Sequence, residues 1–275
     1  LIGSVVTATF STGQTVTGTM QADPADATGA IFQTTSTMIG PGSGFAVTAS
    51  DNSTLLPGQI RNNTITDFGG AGLAVQANDS AVIQPLTIRG NTLSDNGQNG
   101  ATGGSQFGVN LGTSGANAQL SAALFGNTIE RNFGGAVNID AQGGALSLTQ
   151  FEQNSLDANG AGVLINGAAG AAVDVRLTTN VITNSVMNGA AGTAMTSGDA
   201  ISIISDASTV AVNEIALNSI TSNAGDGISF EALNAGVITV ASTEDLNQNN
   251  QLNTGEDTNE DINGNGILDA GEDTN

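Results

Sequence analysis

From about residue 60 to residue 240 the chain alternates apolar and polar positions in short runs punctuated by asparagine and glycine. Alternation of period two predicts half-buried strands, and the runs are of three kinds that recur in a fixed order. The first is Asn-x-(Ile/Leu)-x-x-Asn, seen as Asn91 to Asn96, Asn127 to Asn132, Asn154 to Asn159 and Asn218 to Asn223. Asn63-Thr-Ile-Thr-Asp-Phe68 and Asn180-Val-Ile-Thr-Asn-Ser185 are imperfect copies. The second is led by a small residue: Gly72 to Val75, Gly108 to Leu111, Ala136 to Ile139, Gly162 to Ile165, Ala200 to Ile203 and Gly227 to Phe230. A third strand closes each unit, as in Leu86-Thr-Ile88, Leu120 to Leu124, Leu146 to Leu148, Val173 to Leu177, Val210 to Val212 and Val237 to Val240.

Successive first asparagines are 28, 36, 27, 26 and 38 residues apart, a base period of 26 to 28 with two longer copies. The longer copies carry Gly/Ser/Asn-rich stretches at 97–106 and 185–198, which predict loops inserted into single repeats. Strands this short bury no face alone, so each must stack on its equivalent one period away. Stacking sets like residues about 4.8 Å apart in columns along one axis. Ile65, Leu93, Ile129, Leu156, Ile182 and Ile220 form one predicted interior column, and Val75, Leu111, Ile139, Ile165, Ile203 and Phe230 another. Asparagine is expected at the corners for two reasons: it tolerates left-handed backbone, and its amide bonds to the amides above and below. Glycine is expected to serve the following tight corner.

The combined pattern resembles the right-handed parallel β-helix repeats of secreted bacterial and archaeal proteins, among them polysaccharide lyases, epimerases and surface adhesins. The resemblance spans about residues 30 to 240. It implies an all-β fold, a right-handed parallel β-helix of about seven coils over 31–240, and leaves activity open because that scaffold hosts enzymes, binders and structural proteins. Residues 1–30 also alternate, and are expected to form a strand pair that caps the first coil.

Composition narrows the chemistry. Four cations, all arginine, stand against 25 acids for a net charge of −21, which argues against nucleic acid and anionic membrane as partners. No apolar run reaches the length of a membrane span. Lys, His, Cys, Trp and Tyr are absent. That removes the Ser-His-Asp triad, the cysteine nucleophile, the lysine Schiff base and the imidazole or thiolate zinc site. Oxygen-ligated Ca²⁺ remains available.

Nine of the acids and no cation fall in 241–275, where the strand pattern stops. Two copies of a twelve-residue oxygen-rich loop occupy this stretch. The first offers Asp245, Asn247, Asn249, the Gln251 carbonyl, Asn253 and Glu256, and the second Asp261, Asn263, Asn265, the Ile267 carbonyl, Asp269 and Glu272. Ligands at positions 1, 3, 5, 7, 9 and 12 around a turn converge on one point and match the hard-oxygen demand of calcium. The first loop has Asn250 at the turn and fewer carboxylates, so weaker binding is expected there. Start-to-start spacing is 16 residues, too short for the helices of a paired EF-hand. The tandem copies resemble the calcium repeats of dockerins, thrombospondin type 3 stalks and bacterial surface-protein linkers, which implies a metal-ordered linker.

Alignment of the repeats sets Asp67, Asp95 and Arg131 in one column, with Glu130 and Asp157 one position earlier. These carboxylates are the candidate catalytic residues of a glycosidase-like or lyase-like site, against a solvated corner with an Asp95–Arg131 ion pair. Arg61 and Arg89 share another column, and surface decoration is the favoured reading for them. The expectation is a non-enzymatic protein of the extracellular space or cell surface, rod-shaped, calcium-ordered, and joined to itself or to neighbouring domains. A carbohydrate-active enzyme or glycan binder is the alternative.

Overall fold

The computed structural model describes residues 43–97, 106–187 and 197–241 with their side chains, and the backbone of the strands Val5–Thr9, Thr15–Asp23, Asp26–Phe32 and Met38–Gly40. The chain divides into two units, Leu1–Thr239 and Val240–Asn275. Nothing beyond residue 241 falls among the described residues.

The first unit is a parallel β-helix. Its described strands form three sheets of eleven, seven and seven strands, every coil giving one strand to each in turn except the first, which gives both Thr54–Leu55 and Gly58–Arg61 to the longest. A typical coil runs Thr92–Ser94, Phe107–Ser114, Gln119–Phe125, and the next runs Thr128–Glu130, Gly135–Gln142, Ala145–Glu152. Seven coils are stacked, from the one opening at Met38–Gly40 to the one closing at Val237–Val240. From Thr64 onward the short sheet keeps register without a shift: Thr92 pairs with Thr64 and Thr128, Leu93 with Ile65 and Ile129. In the long sheet a one-residue bulge recurs near mid-strand, between Ile83 and Leu86, Ala122 and Ala123, Leu148 and Phe151, and Val175 and Arg176.

The N-terminal stretch carries three strands. Val5–Thr9 and Thr15–Asp23 are antiparallel, Asp26–Phe32 folds back on Thr15–Asp23, and it then pairs in parallel with Gly58–Arg61. All three prolong the long sheet at its edge. The inserted stretches at 97–106 and 185–198 both leave the coil at the same corner, after Thr92–Ser94 and after Val181–Thr183; residues 98–105 and 188–196 lie outside the described residues.

Both predicted apolar columns are interior. Ile65, Leu93, Ile129, Leu156 and Ile182 are buried, as are Val75, Leu111, Ile139, Ile165 and Ile203. Their last members differ: Ile220 is half-buried and Phe230 is 48 % exposed, because no coil follows theirs among the described residues. Among the described residues nine of the ten large exposed hydrophobics, Leu56 excepted, fall between Val181 and Val240, in the last two coils.

The asparagines do half of what the sequence suggested. Left-handed backbone belongs to the residue before each one: Asn62, Gly90, Gly126, Gln153, Thr179 and Leu217 at the first corner, with φ between 55° and 62°. At the second corner it is Asp67, Asp95, Arg131, Ala158, Asn184 and Ser222, with φ between 53° and 61°. Each non-glycine residue there costs about 1 kcal/mol of backbone strain, and residues as different as Asp95, Arg131 and Leu217 bear it, so asparagine is not required at these positions. The asparagine that follows turns inward, and its amide is saturated. Asn127 is representative: its Oδ1 accepts from the backbone N and the Nδ2 of Asn91, both at 3.0 Å. Its Nδ2 donates to Asn154 Oδ1 at 2.9 Å and to the Ile88 carbonyl at 2.9 Å, and its backbone N donates to Asn154 Oδ1 at 3.0 Å.

The same bonds run unbroken from Asn63 through Asn91, Asn127, Asn154 and Asn180 to Asn218. A second ladder joins Asn96, Asn132 and Asn159 on the other side of the short strands, and stops where Ser185 takes the next position. Glycine's role also differs from the expectation. Gly72 and Gly162 have no left-handed φ; a Cβ there would overlap the carbonyls of Gly108 and Ala200 in the coil above, so close approach fixes the residue.

Asn127→Ala removes the acceptor for two buried donors of Asn91, and each unsatisfied buried group costs about 1–3 kcal/mol. Asn218→Ala strips the same bonds from Asn180 where Asn218 is only half-buried and water can replace them. Urea denaturation is expected to show Asn127→Ala destabilised by at least about 3 kcal/mol and Asn218→Ala by clearly less. Equal losses would remove the ladder from its structural role.

Candidate functional site

The four candidate carboxylates lie along the second corner, where each short strand ends. Asp67 and Asp95 hold the same left-handed position as Arg131, and Glu130 pairs directly with Ser94 on one side and Asp157 on the other. The corner conformation sends these side chains outward, while the asparagine column beside them faces in.

Each carboxylate has a partner in the structure. Arg131 donates from Nε and Nη2 to the two oxygens of Asp95, at 3.0 and 2.9 Å, a bidentate pair spanning two coils. Its Nη1 also meets Glu130 Oε1 at 2.7 Å. Asp157 Oδ1 accepts from Thr183 Oγ1 at 2.9 Å and from Asn184 Nδ2 at 2.8 Å. Asp67 Oδ2 accepts from Thr66 Oγ1 at 3.3 Å. The guanidinium hydrogen bonds hold the Asp95 carboxyl below the usual carboxylate range, and Asp95 with Glu130 raises the Arg131 pKa further. A depressed pKa is the reverse of what a general acid needs near neutral pH.

A second guanidinium is bound on the long sheet. Arg176 Nε donates to Glu214 Oε2 at 2.6 Å, with Glu152 Oε1 at 3.8 Å on the other side. Sequence reasoning missed this cluster. Arg176 and Glu214 are 38 residues apart while Val175 and Val212 pair at 37, so the bulge between them creates the match. Arg89 stands in register with Arg61, as the repeat predicted, and its guanidinium lies 5.4 Å from the centre of the Phe125 ring. Phe125 is the next residue of the same column, so the cation rests on its own stack.

The calcium-loop residues Asp245, Asn247, Asn249, Gln251, Asn253, Glu256, Asp261, Asn263, Asn265, Ile267, Asp269 and Glu272 lie outside the described residues. Among the described residues no group of three or more carboxylates is gathered as a metal site. No family model matches the chain, and comparison with curated proteins and with solved structures gave no match.

The Asp95 pair contributes stability that is fully present above the ordinary carboxylate range and is lost as pH falls through the depressed pKa. Asp95→Asn is therefore expected to lower stability at pH 7 by about 0.5–1 kcal/mol, as an exposed bidentate pair allows. Thermal melts of the two proteins should converge at acid pH, once the depressed Asp95 carboxyl is protonated. A gap that persists at acid pH would mean that Asp95 acts through packing and not through its charge.

Proposed function

We propose that this chain is a structural or adhesive protein of the extracellular space: a rigid β-helical rod, continued by a calcium-ordered linker that joins it to a neighbouring domain or subunit. The observation that carries the reading is where its polar groups are used. Interior amides tie coil to coil over the whole stack, and the best-paired outward charges, Asp95–Arg131 and Arg176–Glu214, also bridge successive coils. Bonds placed along one axis stiffen a rod, whereas a hydrolytic pair needs carboxylates left for substrate.

The acidic balance fits a solvated surface, and a run of nine acids without a cation repels itself until a cation is bound. Calcium supplies that charge, and the oxygen spacing of the two loops supplies the ligands. The second loop, with glycine at its turn, binds first and governs the order of the segment.

Limited digestion with a glutamate-specific protease tests the linker. Cleavage at Glu256 and Glu260 is expected in chelator and suppressed in millimolar calcium. The double variant Asp261→Ala with Glu272→Ala is expected to be cut equally in both. Calcium protection that survives the double variant would take the governing role from the second loop, and a parent chain cut equally in calcium and in chelator would remove calcium from the reading and leave the rod alone.

A further inference from the structure

From Asn96 to Asn223 the second ladder has an amide at every coil but one. Asn96 donates from its backbone N and its Nδ2 to Asn132 Oδ1, at 3.1 and 2.9 Å, and Asn132 does the same to Asn159 Oδ1, at 3.0 and 2.9 Å. Each Nδ2 also donates to a main-chain carbonyl of the coil beneath: Asn96 to Ile65, Asn132 to Leu93, Asn159 to Ile129 and Asn223 to Ile182. Ser185 takes the remaining position and has neither amide atom. Beneath it the backbone N–H of Asn159 meets no acceptor among the described residues, and the Leu156 carbonyl, the counterpart of Leu93 and Ile129, receives no side-chain nitrogen. Above it Asn223 Oδ1 accepts from Ser185 N at 2.9 Å and lacks the second donor that Asn132 and Asn159 receive. These groups lie away from solvent: Asn159 and Leu156 are 1 % exposed and Ser185 2 %.

The coils do not close in around the shorter side chain. Val186 N donates to the Asn159 carbonyl at 2.8 Å, the same main-chain bond that Gly160 makes to Asn132 at 3.0 Å and Phe133 to Asn96 at 2.9 Å. Ala224 N continues it to the Ser185 carbonyl at 2.9 Å. From outside, Asp157 Oδ1 pins Thr183 and Asn184 to the coil beneath, at 2.9 and 2.8 Å. The backbone at Ser185 is therefore held where an asparagine backbone would be, and the place of the missing amide is bordered by a buried N–H, a carbonyl, an amide oxygen and a hydroxyl.

We propose that this place is a binding site for one buried water molecule, which stands in for the amide that Ser185 lacks. The water accepts from the Asn159 N–H and donates to the Leu156 carbonyl and to Asn223 Oδ1, with Ser185 Oγ beside it. Buried waters are held by about three such partners, and ordering one costs less than leaving a buried N–H unanswered. The mixed lining selects the ligand: a cation would face the N–H and an anion the carbonyl, whereas water both gives and takes a hydrogen bond. With it in place the second ladder runs from Asn96 to Asn223 without a break.

Water-selective NMR on the full, isotope-labelled chain reads the site. A cross-peak between the Asn159 amide and a long-lived water is expected in the parent chain. It is expected to remain in Ser185→Ala, which keeps the space and removes the hydroxyl whose own exchange could mimic the signal. It is expected to vanish in Ser185→Asn, whose Oδ1 takes the place of the water and completes the ladder. Silence in the parent chain, loss of the signal in Ser185→Ala, or its survival in Ser185→Asn would overturn the site. An experimental density map needs no variant. A peak within hydrogen-bond reach of both Asn159 N and Ser185 Oγ is expected, and a map that shows other buried waters but no peak there would overturn the proposal as well.

Discussion

A strand of three residues leaves the N–H groups of its corners pointing at the coil above, in an interior that water does not reach. The stack depends on answering those donors, since a buried N–H without a partner costs more than a short strand can recover. The inward asparagines answer them. One amide oxygen takes two donors from the coil beneath, and one amide nitrogen returns a bond to a main-chain carbonyl there while donating to the coil above. With the polar account closed at both ends of the short strand, Leu93, Ile129 and Leu156 between them are free to be wholly apolar.

The composition follows from this arrangement. Each coil turns through left-handed residues, and the coil above passes so close at the small-residue corner that Gly72 and Gly162 have no room for a Cβ. The outward positions have little to support beyond solubility, which acids, hydroxyls and a few lateral pairs provide. Large aromatic side chains have little place in so narrow a core, and Phe68 and Phe151 are the largest that it fully buries.

The fold was legible in the sequence because its period is stated three times over, by asparagine, by aliphatics and by glycine, and three independent signals of one length leave little freedom of register. The repeat alone sets Asn91, Asn127 and Asn154 in one column, and Asp95 and Arg131 in another. Two things were not legible. The division of labour at the corner was hidden because Asn62 and Asn63 are adjacent and identical, while only the first is left-handed and only the second turns in. The Arg176 cluster was hidden because a bulge displaces the partner by one residue, and a fixed period cannot show a local insertion that the neighbouring strand absorbs. The Asp95–Arg131 ion pair was legible as one of two readings of the carboxylate column, whereas the hold of the same guanidinium on Glu130 was not, since a column of like positions does not show which neighbour one side chain also reaches.

The amide ladder also has a direction. Every side-chain carbonyl from Asn91 to Asn218 accepts from the coil on its N-terminal side, so their dipoles add along the stack, unlike successive peptide dipoles along a strand, which alternate. The sum places partial positive charge at the C-terminal face of the coils, the opposite sense to an α-helix. A stack of this kind is electrically a vector: its two ends differ in what they attract even where their outlines match, and its C-terminal end is the one that favours oxygen-bearing groups.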